Sequence, residues 1–500
     1  MKQETNLNRA FIGHPKPLFS LSITELWERF SFYGIRPLLV LFMAANISMG
    51  GLGISKEEAA AIAGIFGGCL YLAALPGGWL ADNYLGQKKA IFIGSIIIAL
   101  GHLSIALSIF TSIMFFIGLA LIVIGTGLFK TCASVLVGML YDKDDPGRDS
   151  GFTIFYMGIN LGAFIAPLIC GLLQTKYGWH IGFGAGGIGM LIALTIFYFK
   201  TIPDLMEFDK KVGINYPWDK ASNYNKNAPW LITIAIVVLV AVFFFIFGGF
   251  IELNPISIAK NMVLIILAYA GIYFLYLFFF SSLDNTEKKN LLVFVILFFS
   301  AAIFWSVFEQ QYTSFNFFAD SLTNRNILGF EIPTAWFQSI NALFIIIFAP
   351  IVAFVWIILS KINLEVSSII KFTLGLVFAA LGFFVMILAS KSVINNSELA
   401  SPMWIVLSFF FLTLGELCLS PVGLSLMTKI APKLIKAQVM GLWFVSLSLG
   451  NIIAGLIGGE ASKDNAHTLV ELFSQCIWIL LAMAFILFIF KNKINKMIKY

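Results

Sequence analysis

Apolar residues in this chain fall in long continuous runs that recur nearly end to end, with short polar turns between them. A helix that crosses a bilayer needs about 20 mostly apolar residues. Fourteen such stretches are predicted, near 17–46, 55–82, 87–109, 111–141, 147–175, 181–200, 230–251, 257–282, 290–319, 333–360, 364–390, 401–430, 433–460 and 467–491. None shows the alternation that an outer-membrane barrel requires, so the predicted fold class is an all-α membrane protein. The longest polar stretch, near 202–229, follows six of these runs. It predicts an N-terminal six-helix bundle over 1–201, a cytoplasmic linker with two additional transmembrane helices over 202–289, and a C-terminal six-helix bundle with a basic tail over 290–500. The two additional runs, near 230–251 and 257–282, are the simplest to read as lipid-facing, without substrate contact.

Composition agrees: 59% of residues are apolar, 12% are charged and the mean hydropathy is +0.92, which excludes an ordinary soluble protein. The 32 Lys and Arg are unevenly placed between alternate loops. One set carries pairs such as Lys88 and Lys89, Lys210 and Lys211, Lys288 and Lys289, and the tail lysines Lys491, Lys493, Lys496 and Lys499. The other holds Lys56, Lys176, Lys260, Arg325, Lys391 and Lys463. The positive-inside rule then places both termini in the cytoplasm, as an even number of crossings requires. The net charge of +6 is an orientation signal, so no nucleic-acid partner is expected, and the basic tail is expected to touch anionic membrane lipid. The first run carries charges and lacks a small-residue cleavage site, unlike a signal peptide. Cys69, Cys132, Cys170, Cys418 and Cys476 sit in apolar runs without metal-ligand spacing and read as packing residues. His14 and His467 are assigned to loops, His180 follows a Gly-Trp turn, and His102, alone on an apolar helix, is expected in a satisfied structural role. No phosphate loop, nucleotide fold or nucleophile with base and orienter is readable, so neither a cofactor, a metal nor an enzymatic activity is expected.

Chemistry is carried by charges inside the runs, because each costs several kcal/mol in hydrocarbon and is retained for function. The first run, TELWERFSFYGIRPLL, sets Glu25, Glu28, Arg29, Phe32, Tyr33 and Arg36 on one helical face. Lys130 lies in the fourth run, Glu309 in the ninth and Glu416 in the twelfth. Structural ion pairing is the plain alternative, but five charges in one half and two acids in the other point to a lined cavity. Four carboxylates against three cations leave one negative charge over. One proton balances the set, and a zwitterionic substrate enters without changing the balance.

At these residues the sequence resembles the proton-dependent oligopeptide transporter family of the major facilitator superfamily, in its prokaryotic form. The motifs are ELWERFSFYG, GGWLADNYLGQKK, FYMGINLGAFIAP, GWHIGFGAGGIGM, FWSVFEQQYTSF and GELCLSPVGLSLMTKIAPK, in order along nearly the whole chain. The resemblance implies two six-helix bundles rocking about a site near the bilayer midplane. It implies a proton-coupled symporter of di- and tripeptides, working as a monomer in a bacterial plasma membrane. Proton coupling is assigned to Glu25, Glu28, Arg29 and Glu309. Arg29 and Lys130 are assigned to the peptide carboxylate, where a guanidinium meets a planar acid in bidentate fashion. Glu416, Asn160 and Asn341 are assigned to the amino terminus, and Tyr33, Tyr71, Trp305 and Trp443 to side-chain pockets. Arg36 with Glu309, and Lys130 with Glu416, are the implied gate salt bridges.

Three departures from the family pattern stand out. Phe32 replaces the usual first tyrosine of a pair, Thr131 and Cys132 replace a Pro-Asn after Lys130, and Ala74, with Pro76 nearby, replaces a proline after Tyr71. The rival expectation is a relative moving another small solute, such as an amino acid, nitrate or a peptide-like drug. Retention of the Glu-x-x-Glu-Arg cluster favours peptide symport.

Overall fold

The computed structural model describes residues 9–11, 13–142, 145, 147–212, 218–221, 224–247, 254–362, 364, 366–432, 438–460 and 466–498. Of the basic loop residues, Lys2, Lys143, Lys433, Lys436, Lys463 and Lys499 lie outside them, as does Glu252. Nearly every described residue is helical. The long helices are α1 (Lys16–Ala44), α2 (Lys56–Leu80), α3 (Gln87–Ala106), α4 (Ser112–Met139), α5 (Arg148–Tyr177) and α6 (Trp179–Ile196), followed by the short amphipathic α7 (Ile202–Val212). Then come α8 (Ala228–Phe247), α9 (Pro255–Phe279), α10 (Asn285–Phe308) and the short α11 (Ser314–Ser321). The chain ends with α12 (Ser339–Lys361), α13 (Ser368–Asn396), α14 (Met403–Ile430), α15 (Val439–Glu460) and α16 (Ala466–Met497). Twelve helical stretches among the described residues are long and apolar enough to cross a membrane by length and composition. α1, diluted by its own charges, and α8 complete the fourteen long helices of an all-α membrane protein with a major facilitator fold. Helices dominate because hydrocarbon offers backbone amides no partner, so each span must close its own hydrogen bonds.

By packing, the described chain forms two units, one of residues 1–36 with 69–255 and one of residues 37–68 with 256–500. The borders fall inside α1 at Arg36/Pro37 and inside α2 at Gly68/Cys69.

In the first unit, α3 packs on α4 and on α6. A Cβ on Gly94 would meet the Gly125 carbonyl at 2.7 Å and one on Gly101 the Gly118 carbonyl at 2.9 Å, so the backbones touch along a glycine stripe. The second unit repeats the arrangement, with α13 packed on α14 and α16. There Gly375 faces the Gly415 carbonyl at 3.0 Å and Gly382 the Ser408 carbonyl at 3.1 Å. The same seven-residue spacing of small residues in both units is the mark of an internal repeat.

The linker does more than divide the chain. At the α2–α3 turn Gly86 has φ +77°, a left-handed conformation natural to glycine, and a Cβ there would run into the Asp219–Lys220 backbone. The Lys88 amide donates to the Trp218 carbonyl at 2.9 Å and the Asn225 amide to the Asn83 carbonyl at 2.9 Å. Lys88 also pairs with Asp219 at 2.6 Å. The stretch read as a separator is thus seated on the GGWLADNYLGQKK turn.

Some sequence expectations are corrected in detail. The run near 290–319 is not one helix: it ends as α10 at Phe308, turns tightly through Glu309–Tyr312 and resumes as α11. His14 is a buried strand residue within hydrogen-bond distance of the Tyr141 hydroxyl at 2.9 Å, not a free loop residue. His102 is buried against Gly186 and Gly187 of α6, but neither ring nitrogen has a hydrogen-bond partner among the described residues, so its role is packing without polar satisfaction. Lys371, a cation inside the eleventh apolar run that the charge reading passed over, lies near the start of α13 with its ammonium 4.9 Å from the Trp356 ring.

Candidate functional site

The first unit gathers its charges on α1. Glycines on α5 let that helix approach closely: a Cβ on Gly158 would meet the Ser22 carbonyl at 2.8 Å, and one on Gly162 would strike the Leu26 carbonyl and lie 3.1 Å from Arg29 Cβ. The approach seals Glu25, Glu28 and Arg29, which are 3%, 1% and 4% exposed. The Arg29 guanidinium forks onto Glu28, with Nη2 donating to Oε1 at 2.7 Å and Nε to Oε2. Its Nε also lies 3.2 Å from Glu25 Oε1, one helical turn away. Glu25 Oε2 is buried without a hydrogen-bond partner among the described residues. A buried oxygen of this kind is costly unless protonated or met by a donor.

Phe32 occupies the next turn, 8% exposed, and both arginines converge on it. The Arg29 and Arg36 guanidinium carbons each lie 5.5 Å from its ring centroid. Tyr33 meets the same ring edge-on at 5.0 Å. A phenyl ring is thereby in cation–π contact with two guanidiniums. On the facing helices Gly127 of α4 is in backbone contact with Gly77 and Ala73 of α2, which brings Lys130 over Tyr71 at 4.2 Å from Nζ to the ring centroid. Lys130 shares an electrostatic field with Glu25, Glu28, Arg29 and Arg36. Thr131, where the family has proline, donates to the Gly127 carbonyl at 3.2 Å, and α4 runs unbroken through Lys130. Asn160 is buried on α5 and donates to the Tyr156 carbonyl of its own helix at 2.9 Å, without a described contact to the charged cluster.

The second unit holds the other residues. Glu416, partly buried on α14, accepts at Oε2 from Asn341 Nδ2 of α12 at 3.1 Å. The same amide lies 3.0 Å from the Thr413 hydroxyl, which donates to the Phe409 carbonyl at 2.7 Å. Thr413 is the participant that the sequence reading missed; its place one turn before Glu416 on α14 is the signal that was available. Glu309 is buried in the tight turn after α10 and interacts electrostatically with Glu416. Trp305, 5% exposed, has Gly450 of α15 against its Cβ, and its indole N–H lacks an acceptor among the described residues. Trp443 packs where a Cβ on Gly423 would meet its ring at 2.8 Å and Phe372 at 2.6 Å, which makes it a wedge between α13, α14 and α15.

The two clusters differ in sign. Arg29, Arg36 and Lys130 outnumber Glu25 and Glu28 in the first unit, whereas the second contributes the carboxylates Glu309 and Glu416. Charged groups inside the apolar spans of a multi-span fold are retained for function. The comparisons are specific. The family model described as the POT family matches residues 88–471. A peptide transporter of Yersinia enterocolitica, YePEPT, is 53% identical over 480 residues, covering 95% of this chain and 94% of the relative. A di-/tripeptide transporter of Lactococcus lactis is 36% identical over 508 residues, covering 98% and 99%. The crystal structure of a peptide transporter POT in complex with sulfate superposes with a TM-score of 0.88 at 36% identity, over 99% of this chain and 98% of that one. This multi-span transporter chain belongs to the POT family.

Proposed function

We propose that the protein is a proton-coupled symporter that imports di- and tripeptides by alternating access. The observation that carries this reading is the sign of the two buried clusters. A peptide is cationic at one end and anionic at the other. The cation excess of Arg29, Lys130 and Arg36 suits its carboxylate, and Glu416, held by Asn341 and Thr413, suits its ammonium.

In this reading Tyr33, Tyr71, Trp305 and Trp443 bound the side-chain space, with Trp443 acting through packing. Asn160 adds a polar group. Glu25, Glu28, Arg29 and Glu309 carry the proton coupling, with the unpartnered Glu25 oxygen a ready acceptor for a proton. Arg36 and Glu309 serve as one gate pair and Lys130 and Glu416 as the other, each broken by protonation or by peptide. The protein sits in a bacterial inner membrane with both termini cytoplasmic and acts as a monomer, its helical bundles spanning 1–201 and 290–500. Protons and membrane lipid are its other partners.

The test is uptake of labelled dialanine into proteoliposomes under an inward proton gradient. Accumulation above equilibrium, competed by tripeptides and not by free amino acids, is expected, together with its loss in Lys130→Ala. Full accumulation after the gradient is dissipated, or undiminished accumulation in Lys130→Ala, overturns the reading.

A further inference from the structure

Each unit has an apolar groove between helices that the repeat relates, and the two lie at different heights: the first runs along the Gly101 end of α3 and the second along the Gly375 end of α13. Between α3 and α6 the cavity is about 370 Å³, walled by residues such as Leu100, Leu103, Ile188 and Leu191. Between α13 and α16 it is about 700 Å³, walled by Leu374 and Val377 on one side and Trp478, Leu481, Phe485 and Phe488 on the other. On α16 the wall runs from Trp478 to Phe488, a rise of about 15 Å. That is the hydrocarbon depth of one leaflet, half of about 30 Å.

The second groove also ends on a fixed charge. α16 continues past its apolar run into a basic turn, and the Lys491 ammonium sits 3.9 Å from the centroid of the Phe488 ring that closes the groove. Lys493 and Lys496 are exposed further along the same helix. A groove whose α16 wall runs the depth of a leaflet, with an ammonium beside its last ring, is complementary to an acyl chain below a negatively charged phosphate.

We infer that the α13–α16 groove is a binding site for one anionic phospholipid, its acyl chain along Phe485 and Phe488 and its phosphate on Lys491. Zwitterionic lipid fills the same slot but gains less from an ammonium, because its own headgroup cation competes for the phosphate. The site lies outside the residues assigned to peptide and proton, so its occupancy is measurable without transport.

The experiment is native mass spectrometry of the full-length protein, titrated with phosphatidylglycerol and with phosphatidylcholine of the same acyl chains. The expected result is retention of one phosphatidylglycerol at a roughly tenfold lower concentration than phosphatidylcholine. Lys491→Gln brings the two lipids to parity, and Val377→Trp, which fills the slot, removes the retained phosphatidylglycerol with Lys491 intact. Ile188→Trp, which fills the other groove, leaves retention unchanged. Equal retention of both lipids by the unaltered protein overturns the inference. So does a preference that survives Lys491→Gln and falls only with Lys493→Gln or Lys496→Gln.

Discussion

The two units hold their intramembrane charges by different means. In the first, opposite charges meet directly: Arg29 clamps Glu28 and reaches Glu25, and Arg29, Arg36 and Lys130 also lie against the aromatic faces of Phe32 and Tyr71. In the second, neutral groups support Glu416, namely an amide from Asn341 that also meets the Thr413 hydroxyl. Charge compensation makes the first cluster a structural element as well as a binding one. Support by neutral dipoles leaves a carboxylate free to gain a proton or a substrate ammonium at little structural cost.

The largest expected effect follows from that asymmetry. Arg29→Ala strands two buried carboxylates, and breaking a buried pair this way costs about 3–5 kcal/mol. Thermal unfolding in detergent should fall by several degrees, with driven uptake lost. Glu416→Gln keeps its hydrogen bond from Asn341 and should unfold close to the unaltered protein. Equal destabilisation by the two substitutions breaks the comparison. Next come the acids of the second unit: Glu309→Gln and Glu416→Gln should each lower the initial rate of proton-driven dialanine uptake by at least about tenfold, a barrier change of roughly 1.4 kcal/mol. For Glu309→Gln, exchange of internal for external dialanine at equal pH should persist, since a neutral glutamine mimics the protonated acid.

A smaller effect is expected at Phe32. Two cation–π contacts at about 0.5–1 kcal/mol each hold Arg29 and Arg36, so Phe32→Leu should raise the KM for dialanine about fivefold, and Phe32→Tyr, which keeps the ring face, should restore it. A Phe32→Tyr variant as impaired as Phe32→Leu shows that the ring face is not what matters. Smallest is Asp219→Asn, which cuts the part-exposed Lys88 pair in the linker. Such pairs contribute about 0–1 kcal/mol, and uptake should stay within twofold.

The spans were legible because twenty-residue apolar runs have few alternatives in a bilayer, and the charged face of α1 because offsets of three and four stay on one side of a helix. Hydropathy alone hides the break after Phe308: the turn residues Glu309, Gln310 and Gln311 are buried, and their flanks are as apolar as a span. The seating of Trp218 and Asp219 on the Gly86 turn was illegible because it joins residues over a hundred positions apart through backbone groups. Phe32 illustrates the same limit more finely. Its identity marks a lost hydroxyl, but only coordinates show two arginines meeting its ring. Trp443 is assigned to a side-chain pocket by the resemblance, and its packing against Gly423 was not legible, because residue type does not report which face of a crowded helix is used.

The claim that cations of one unit receive the peptide carboxylate and acids of the other its ammonium is tested most directly by competition against labelled dialanine uptake. The competitors are dialanine, its C-terminal amide and its N-acetyl form, assayed in the unaltered protein, Lys130→Ala and Glu416→Gln. Both blocked peptides should compete poorly with the unaltered protein. Lys130→Ala should abolish the penalty for amidation and keep that for acetylation, and Glu416→Gln should do the reverse. Two variants that penalise both blocked peptides equally would contradict the account.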